Sequence, residues 1–415
     1  MNRGAIVVLR LALAGLAATG LAALPADAGF TITDLGTLGG TESFGYAINA
    51  SGQVVGQSNT AAVSMPSGNP SGAGGGPVLD HAFRTAPNSV ITPASDLGTL
   101  GGPSSVANGI NASGQAVGSA NLGTTTDPTN QVFPSHAFIS STGGGPLRDL
   151  GTLAGGGNTF NSMANGINAS GQVVGQSDTA SIGITHAFIS GINGGSLRDL
   201  GTLGDANSNS VAYAINTSGQ VVGRSDLAGG AMSHAFLSAA NGGVLTDLGT
   251  LGGSFSTAFG INDAGQVVGS AHLAGDTVLH AFLFGGSSTV RAALTDLGTL
   301  GGMNSTAYSV NSSGQIVGSS DIAGGIAHAF IDSGGVMTDL NSLISPGSGL
   351  VLTDARGIND LGQIVAFGTD VNGFNHVVLL SAVPEPASLV MTGSGLLIGL
   401  LGLARRGRRR RVSGV

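Results

Sequence analysis

The chain has 415 residues, with 14 Lys and Arg against 22 Asp and Glu, a formal net charge of −8, 74 Gly, no Cys and no Trp. Without cysteine there is no disulfide, and no thiolate to act as nucleophile or ligand. Between Gly29 and Ala382, six Arg stand against twenty carboxylates, a formal charge of −14, which argues against nucleic acid as a partner.

Met1 to Ala28 read as an export address. Arg3 and Arg10 precede an apolar run from Leu11 to Leu24, and Ala26-Asp27-Ala28 is a small-x-small cleavage signal. That layout is a secretory signal peptide and predicts export.

From Gly29 to Ala382 the chain repeats a cassette of about fifty residues, a period that points to repeat architecture. It is clearest as Asp-Leu-Gly-Thr-Leu-Gly-Gly, Gly-Ile-Asn-Asp-Ala-Gly-Gln-Val-Val-Gly and His-Ala-Phe between Asp247 and Phe282. The opening Asp recurs at Asp34, Asp96, Asp149, Asp199, Asp247, Asp296 and Asp339. The Asn recurs at Asn49, Asn111, Asn168, Asn216, Asn262, Asn311 and Asn359. The His recurs at His81, His136, His186, His234, His280, His328 and, in a degraded His-Val-Val, His376.

Asn-x-x-Gly-Gln places Asn first and Gly fourth in a type I turn, the three-residue hairpin loop closed by a glycine bulge. It joins a strand ending in Ile-Asn to one beginning Gln-Val-Val-Gly. A third strand carries His-Ala-Phe and a fourth Leu-Thr-Asp-Leu-Gly, with Gly-Gly clusters as breakers between them. Val221-Val222 and Ala281-Phe282-Leu283-Phe284 put apolar groups on both faces of the pleat, so both faces need cover. Radial packing of four-stranded antiparallel blades supplies it, and the expected fold is all-β, a seven-bladed β-propeller. A β-solenoid is the competitor, with rungs usually shorter than this cassette. If the Asp strand is the outermost of a blade, Phe30 to Leu38 completes the last blade beside His376 to Leu380 and closes the ring. The short Gly-rich link after His-Ala-Phe favours that clasp.

The first two units insert Gly-, Pro-, Ser- and Thr-rich loops between Ser58 and His81 and between Ser119 and His136. They share one rim with the loops after Leu-Gly-Gly, and any recognition face is expected there. Tolerated flexible loops are the plainer reading.

The final segment, 383–415, holds Pro384-Glu385-Pro386, an apolar run from Ala387 to Ala404 and six Arg between Arg405 and Arg411. A helix over that run spans roughly 27 Å, enough for a hydrocarbon core. The Arg cluster predicts a cytoplasmic C-terminus with the repeats outside.

In that order, these three parts resemble the PEP-CTERM sorting signal of Gram-negative bacteria. The resemblance implies recognition at Pro384, Glu385 and Pro386 by an exosortase-type membrane enzyme linked to exopolysaccharide and biofilm production. The cassette resembles the HAF-repeat family of predicted extracellular proteins, departing from it at Asp339-Leu-Asn and His376-Val-Val. That family implies a location and no established chemistry.

Seven equivalent His spread round a ring do not converge on one ion as a catalytic zinc requires, so their expected role is a hydrogen bond to the repeat Asp or a backbone carbonyl. The Asp are expected to cap the Gly-Thr turn or pair with the His. No cofactor is expected; calcium is the option such acidity leaves open, without an EF-hand or nonapeptide spacing. His272 reads as a loop residue. The Asn-x-Ser triplets match a glycosylation sequon only because they are the hairpin turn.

No Gly-x-Ser-x-Gly elbow, Walker loop or His-Glu-x-x-His occurs. A catalytic site would break the repeat with unusual Asp, Glu, Arg or Tyr; Glu42, Tyr213, Arg224 and Arg356 are the unusual polar residues and are scattered along the chain. The expected function is a non-catalytic, exported and surface-sorted structural or adhesive component of the envelope or biofilm matrix. The alternatives are a propeller that binds exopolysaccharide through the insertion-bearing rim and, remotely, a hydrolase or lyase.

Overall fold

A computed structural model describes residues 29–60, 79–123, 133–143, 145–155, 159–285 and 293–383. The signal peptide, the Pro384-Glu385-Pro386 motif, the apolar run 387–404, and residues 61–78 and 124–132 of the insertions lie outside the described residues. Among those described, the helices are three short 3-10 turns, Pro93–Ser95, Leu340–Leu343 and Pro346–Ser348. No helix there is long and apolar enough to cross a membrane.

The hairpin signal forms as its chemistry dictates. In one unit Gly265 N–H donates to Asn262 O at 3.0 Å, Asn262 N–H donates to Gln266 O at 3.1 Å, and Gly265 sits at φ 78°. The Asn262 side chain holds the turn from within, accepting from Ala264 and Gln266 N–H at 3.1 and 3.0 Å. Four antiparallel strands then follow in chain order, in this unit Gly252–Ile261, Val267–Leu273, Leu279–Phe284 and Thr295–Gly298.

The sheets form a β-propeller of four-stranded antiparallel meanders, with the Asn-terminated strand of each meander innermost. The clasp is present: Phe30–Asp34 pairs antiparallel with Asn375–Ala382, Asp34 opposite Val378, so the first strand completes the last sheet. Seven separate sheets were expected, and there the structure differs. Five four-stranded sheets stand alone, and the strands from Ser210–Ile215 to Thr295–Gly298 make one eight-stranded sheet. The merger is a single parallel pair, Ser233 with Phe255, where a long inner strand runs beside the third strand of the preceding meander.

The core lies between meanders. Phe83, Phe138, Phe188, Phe236, Phe282 and Phe330 of His-Ala-Phe are fully buried, and Val378 takes that place in the last unit. Phe282 packs with Val222 and Ala235 of the preceding meander, and Phe83 with Val365 and Val377 of the last, so the apolar contact closes the circle. Each such ring contributes about 1.5–3 kcal/mol by area burial. Both residues of the Val-Val pair are buried, as at Val267 and Val268, because they face opposite neighbours.

The Gly that follows Val-Val has a steric cause. Each inner strand carries a β-bulge three residues before its Asn, for example between Ala258 and Gly260. The carbonyl of Thr257 is thereby pressed against Gly269, where a Cβ would overlap it. The last unit has Ala366 instead, and there the inner strand's other irregularity falls between Leu352 and Asp354, whereas in four other units it falls earlier, as between Gly252 and Ser256. That rearranged strand matters below.

Candidate functional site on the axis

The seven His–Asp pairs come together two by two, each within its own four-stranded meander. In every pair His Nδ1 lies 2.7–2.9 Å from a carboxylate oxygen: His81 with Asp96, His136 with Asp149, His186 with Asp199, His234 with Asp247, His280 with Asp296, His328 with Asp339, and His376 with Asp34. The same carboxylate also accepts the N–H two residues on, as Asp247 does from Gly249 at 2.7 Å. One Asp therefore staples the two outer strands and caps the turn leading to the next unit. The His81–Asp96 hydrogen bond raises the His81 pKa against its partial burial. Burial pushes Asp96 and Asp149 upward, but their His and Gly N–H hydrogen bonds outweigh it and hold both below the ordinary carboxylate value. Among the described residues no group of three or more His, Asp or Glu is placed to share a metal ion. His272 is not a loop residue: it lies in Val267–Leu273, edge-on to Phe255 at 5.5 Å and 3.5 Å from Asp276.

On the axis the seven Asn are linked head to tail. Asn49 Nδ2 donates to Asn111 O, Asn111 to Asn168 O, and so on to Asn359, whose Nδ2 donates to Asn49 O, at 2.9–3.3 Å throughout. They frame an axial cavity of about 270 Å³ lined by the Ile/Val-Asn-x triplet of each unit. Two of these triplets end in Asp rather than a small residue, and Asp263 and Asp360 use it to accept Thr217 and Ser312 N–H across the junction, both at 2.9 Å.

Three residues before each Asn, about 10 Å along the same strands, the bulge residues form a belt that the spacing of the cassette hid. They are Tyr46, Asn108, Asn165, Tyr213, Phe259, Tyr308 and Arg356, each the unpaired residue of its bulge. A bulge re-aims a side chain, here toward the neighbouring unit around the axis. Asn108 and Asn165 donate to Ala164 O and Ala212 O at 2.9 and 2.8 Å. Tyr213, Phe259 and Tyr308 follow with ring centroids 5.1 and 5.5 Å apart. The Arg356 guanidinium lies over the Tyr308 ring at 3.9 Å, and Phe367 meets it at 5.6 Å and the edge of Tyr46 at 5.9 Å.

All three tyrosines of the chain are in this belt. So are two of the four residues singled out as breaking the repeat: Tyr213 and Arg356, far apart in sequence, hold equivalent positions. The other two stay apart. Glu42 binds Asn375 at the clasp junction, and Arg224 is exposed. Counting back three residues from every Asn finds the belt; the dissimilar side chains at that position concealed it.

Asp354 stands beside Arg356 on the rearranged last strand, its Oδ2 2.8 Å from Arg356 Nη2. Burial raises the Asp354 pKa against the pull of that cation. Burial also raises Tyr308, with the Asp354 charge acting the same way and Arg356 opposing it; Tyr46 is raised by burial, with Arg356 opposing. Asp354 Oδ1 and Arg356 Nε are buried without a hydrogen-bond partner. An end-on ion pair under aromatic rings thus leaves one acceptor and one donor unused.

The fold and this site define a β-propeller whose repeated polar residues close the ring and whose axis carries one aromatic and ionic cluster. No protein-family model matches the chain, and no curated protein matches it. Among solved structures it is similar to a Trypanosoma rangeli sialidase in complex with the inhibitor DANA, with a TM-score of 0.40 and 10% identity. The alignment covers 91% of this chain and 62% of that one, so the chain spans less than two thirds of the sialidase. No residue correspondence follows from it.

Proposed function

We propose that this chain is an exported, surface-sorted, non-catalytic propeller of seven four-stranded blades, a structural or adhesive component of the cell envelope or biofilm matrix. The eight-stranded sheet counts as two blades joined by one ladder pair, and seven Asn complete the axial ring. One observation carries the reading: the polar residues that recur in every unit are consumed in holding the ring together. The His staple the outer strands to the Asp, the Asn bridge the junctions, and Arg148 and Arg198 donate to turn carbonyls of the next unit at 2.5–3.0 Å.

The resemblance to a PEP-CTERM segment at 383–415 supports delivery to the surface, with the helix over 387–404 as a membrane anchor before processing by an exosortase-type enzyme. Mass spectrometry of the C-terminus from native cells and matrix tests this. Mature protein lacking Arg405 to Arg411, together with retention in the membrane when Pro384, Glu385 and Pro386 are replaced by Ala, is the expected result. Intact Arg-tail peptides as the dominant wild-type form would refute the sorting step.

A further inference from the structure

We propose that the axial cluster of Asp354, Arg356, Tyr308, Tyr46 and Phe367 is a binding site for a neutral saccharide. This goes beyond the scaffold reading and does not depend on it.

Aromatic rings from three neighbouring strands gather round an ion pair carried by the last inner strand, Leu350–Ile358. Ring faces and edges suit the C–H faces of a pyranose, the common use of aromatics where a ligand is part apolar and part polar. The ion pair supplies the polar half. Because it is end-on, Arg356 Nε–H and Asp354 Oδ1 are left unpaired, and a hydroxyl group can accept from the first and donate to the second. A diol is one of the few neutral groups that answers both at once. The Arg356 side chain is 32% exposed and that of Asp354 16%, so the arginine is the more open half of the pair. Reaching the two orphaned atoms takes a rotation of its guanidinium.

Charge selects against acidic sugars. Asp354 already neutralises Arg356, and the region from Gly29 to Ala382 carries −14. A uronate would bring its carboxylate against Asp354 without a free cation to receive it.

The chain supplies its own reporter. With no Trp and all three Tyr in the belt, two of them in the site, its tyrosine emission reports chiefly on the site. The full-length protein is titrated with glucose-, galactose-, mannose- and N-acetylglucosamine-based disaccharides and with a glucuronate disaccharide, following tyrosine fluorescence. The expected result is a saturable change with at least one neutral disaccharide. Binding should be at least tenfold weaker in Arg356→Gln and in the milder Arg356→Lys, and unchanged in Arg224→Gln. No saturable change with any neutral sugar in the wild-type protein overturns the proposal, whatever the variants do. So does equal affinity in Arg356→Lys, or a preference for the glucuronate.

Discussion

Replacing Asn262 with Ala tests whether the axial ring stabilises the propeller. Its side chain makes four hydrogen bonds: to Asn311 O at 2.9 Å across the junction, to Gln266 Oε1 at 2.7 Å, and from Ala264 and Gln266 N–H at 3.1 and 3.0 Å. At about 1 kcal/mol net per bond, the loss is about 4 kcal/mol if nothing replaces them, and about 2 kcal/mol if water reaches the two turn N–H groups. Asn262→Asp separates the two halves of the role. It keeps both acceptors, loses both donors, and turns a carboxylate oxygen toward Asn311 O and Gln266 Oε1. Its folded-state pKa should therefore rise, so the Asp variant should regain stability as pH falls through the carboxylate range, whereas the Ala variant should not. Urea unfolding followed by circular dichroism gives the free energies. An Asn262→Ala variant within about 0.5 kcal/mol of wild type, the level of an ordinary surface substitution, would show that the ring only accompanies closure and contributes nothing to it.

Gly269→Ala forces a methyl group onto the Thr257 carbonyl; the expected loss is about 1–3 kcal/mol, the usual penalty for overpacking, and Ala366→Gly in the last unit should cost no more than about 1 kcal/mol. Phe282→Ala empties the contact between two meanders, and a loss of about 3–5 kcal/mol in the same assay is expected. For pH, Asp96 and Asp149 are held below their ordinary value, so their contribution is present above the unfolded carboxylate pKa and is lost as pH falls through the folded one. His81 is raised, so its contribution is complete below the unfolded His pKa and is lost as pH rises through the folded one. The melting temperature should decline on both sides of a mildly acidic plateau, and Asp96→Asn should flatten both limbs. In a spectrophotometric titration, Tyr46 and Tyr308 should form phenolate above the ordinary tyrosine value; ionisation at or below it would contradict their burial.

Much of this protein is written locally. Asn-x-x-Gly-Gln specifies a hairpin because Asn can bond its own turn and Gly can take positive φ, interactions that close within five residues. In every pair but the clasp pair His376–Asp34, the His and Asp are separated by one short link, so their pairing is also near at hand in sequence. Apolar runs such as Val267-Val268 forced a two-sided cover, and the clasp followed from where the chain begins its first Asp strand. The belt was decided elsewhere. Tyr46, Asn108 and Arg356 share no chemistry, and they meet because a bulge, given room by a glycine on the neighbouring strand in all units but the last, turns the same backbone position inward. The partial fusion of two meanders through Ser233 and Phe255 likewise depends on how closely two non-consecutive strands pass. Turns and pairings within a unit depend on a handful of neighbouring dihedrals, whereas what gathers on the axis depends on the summed rotation of every sheet around it, a quantity no short stretch of sequence contains.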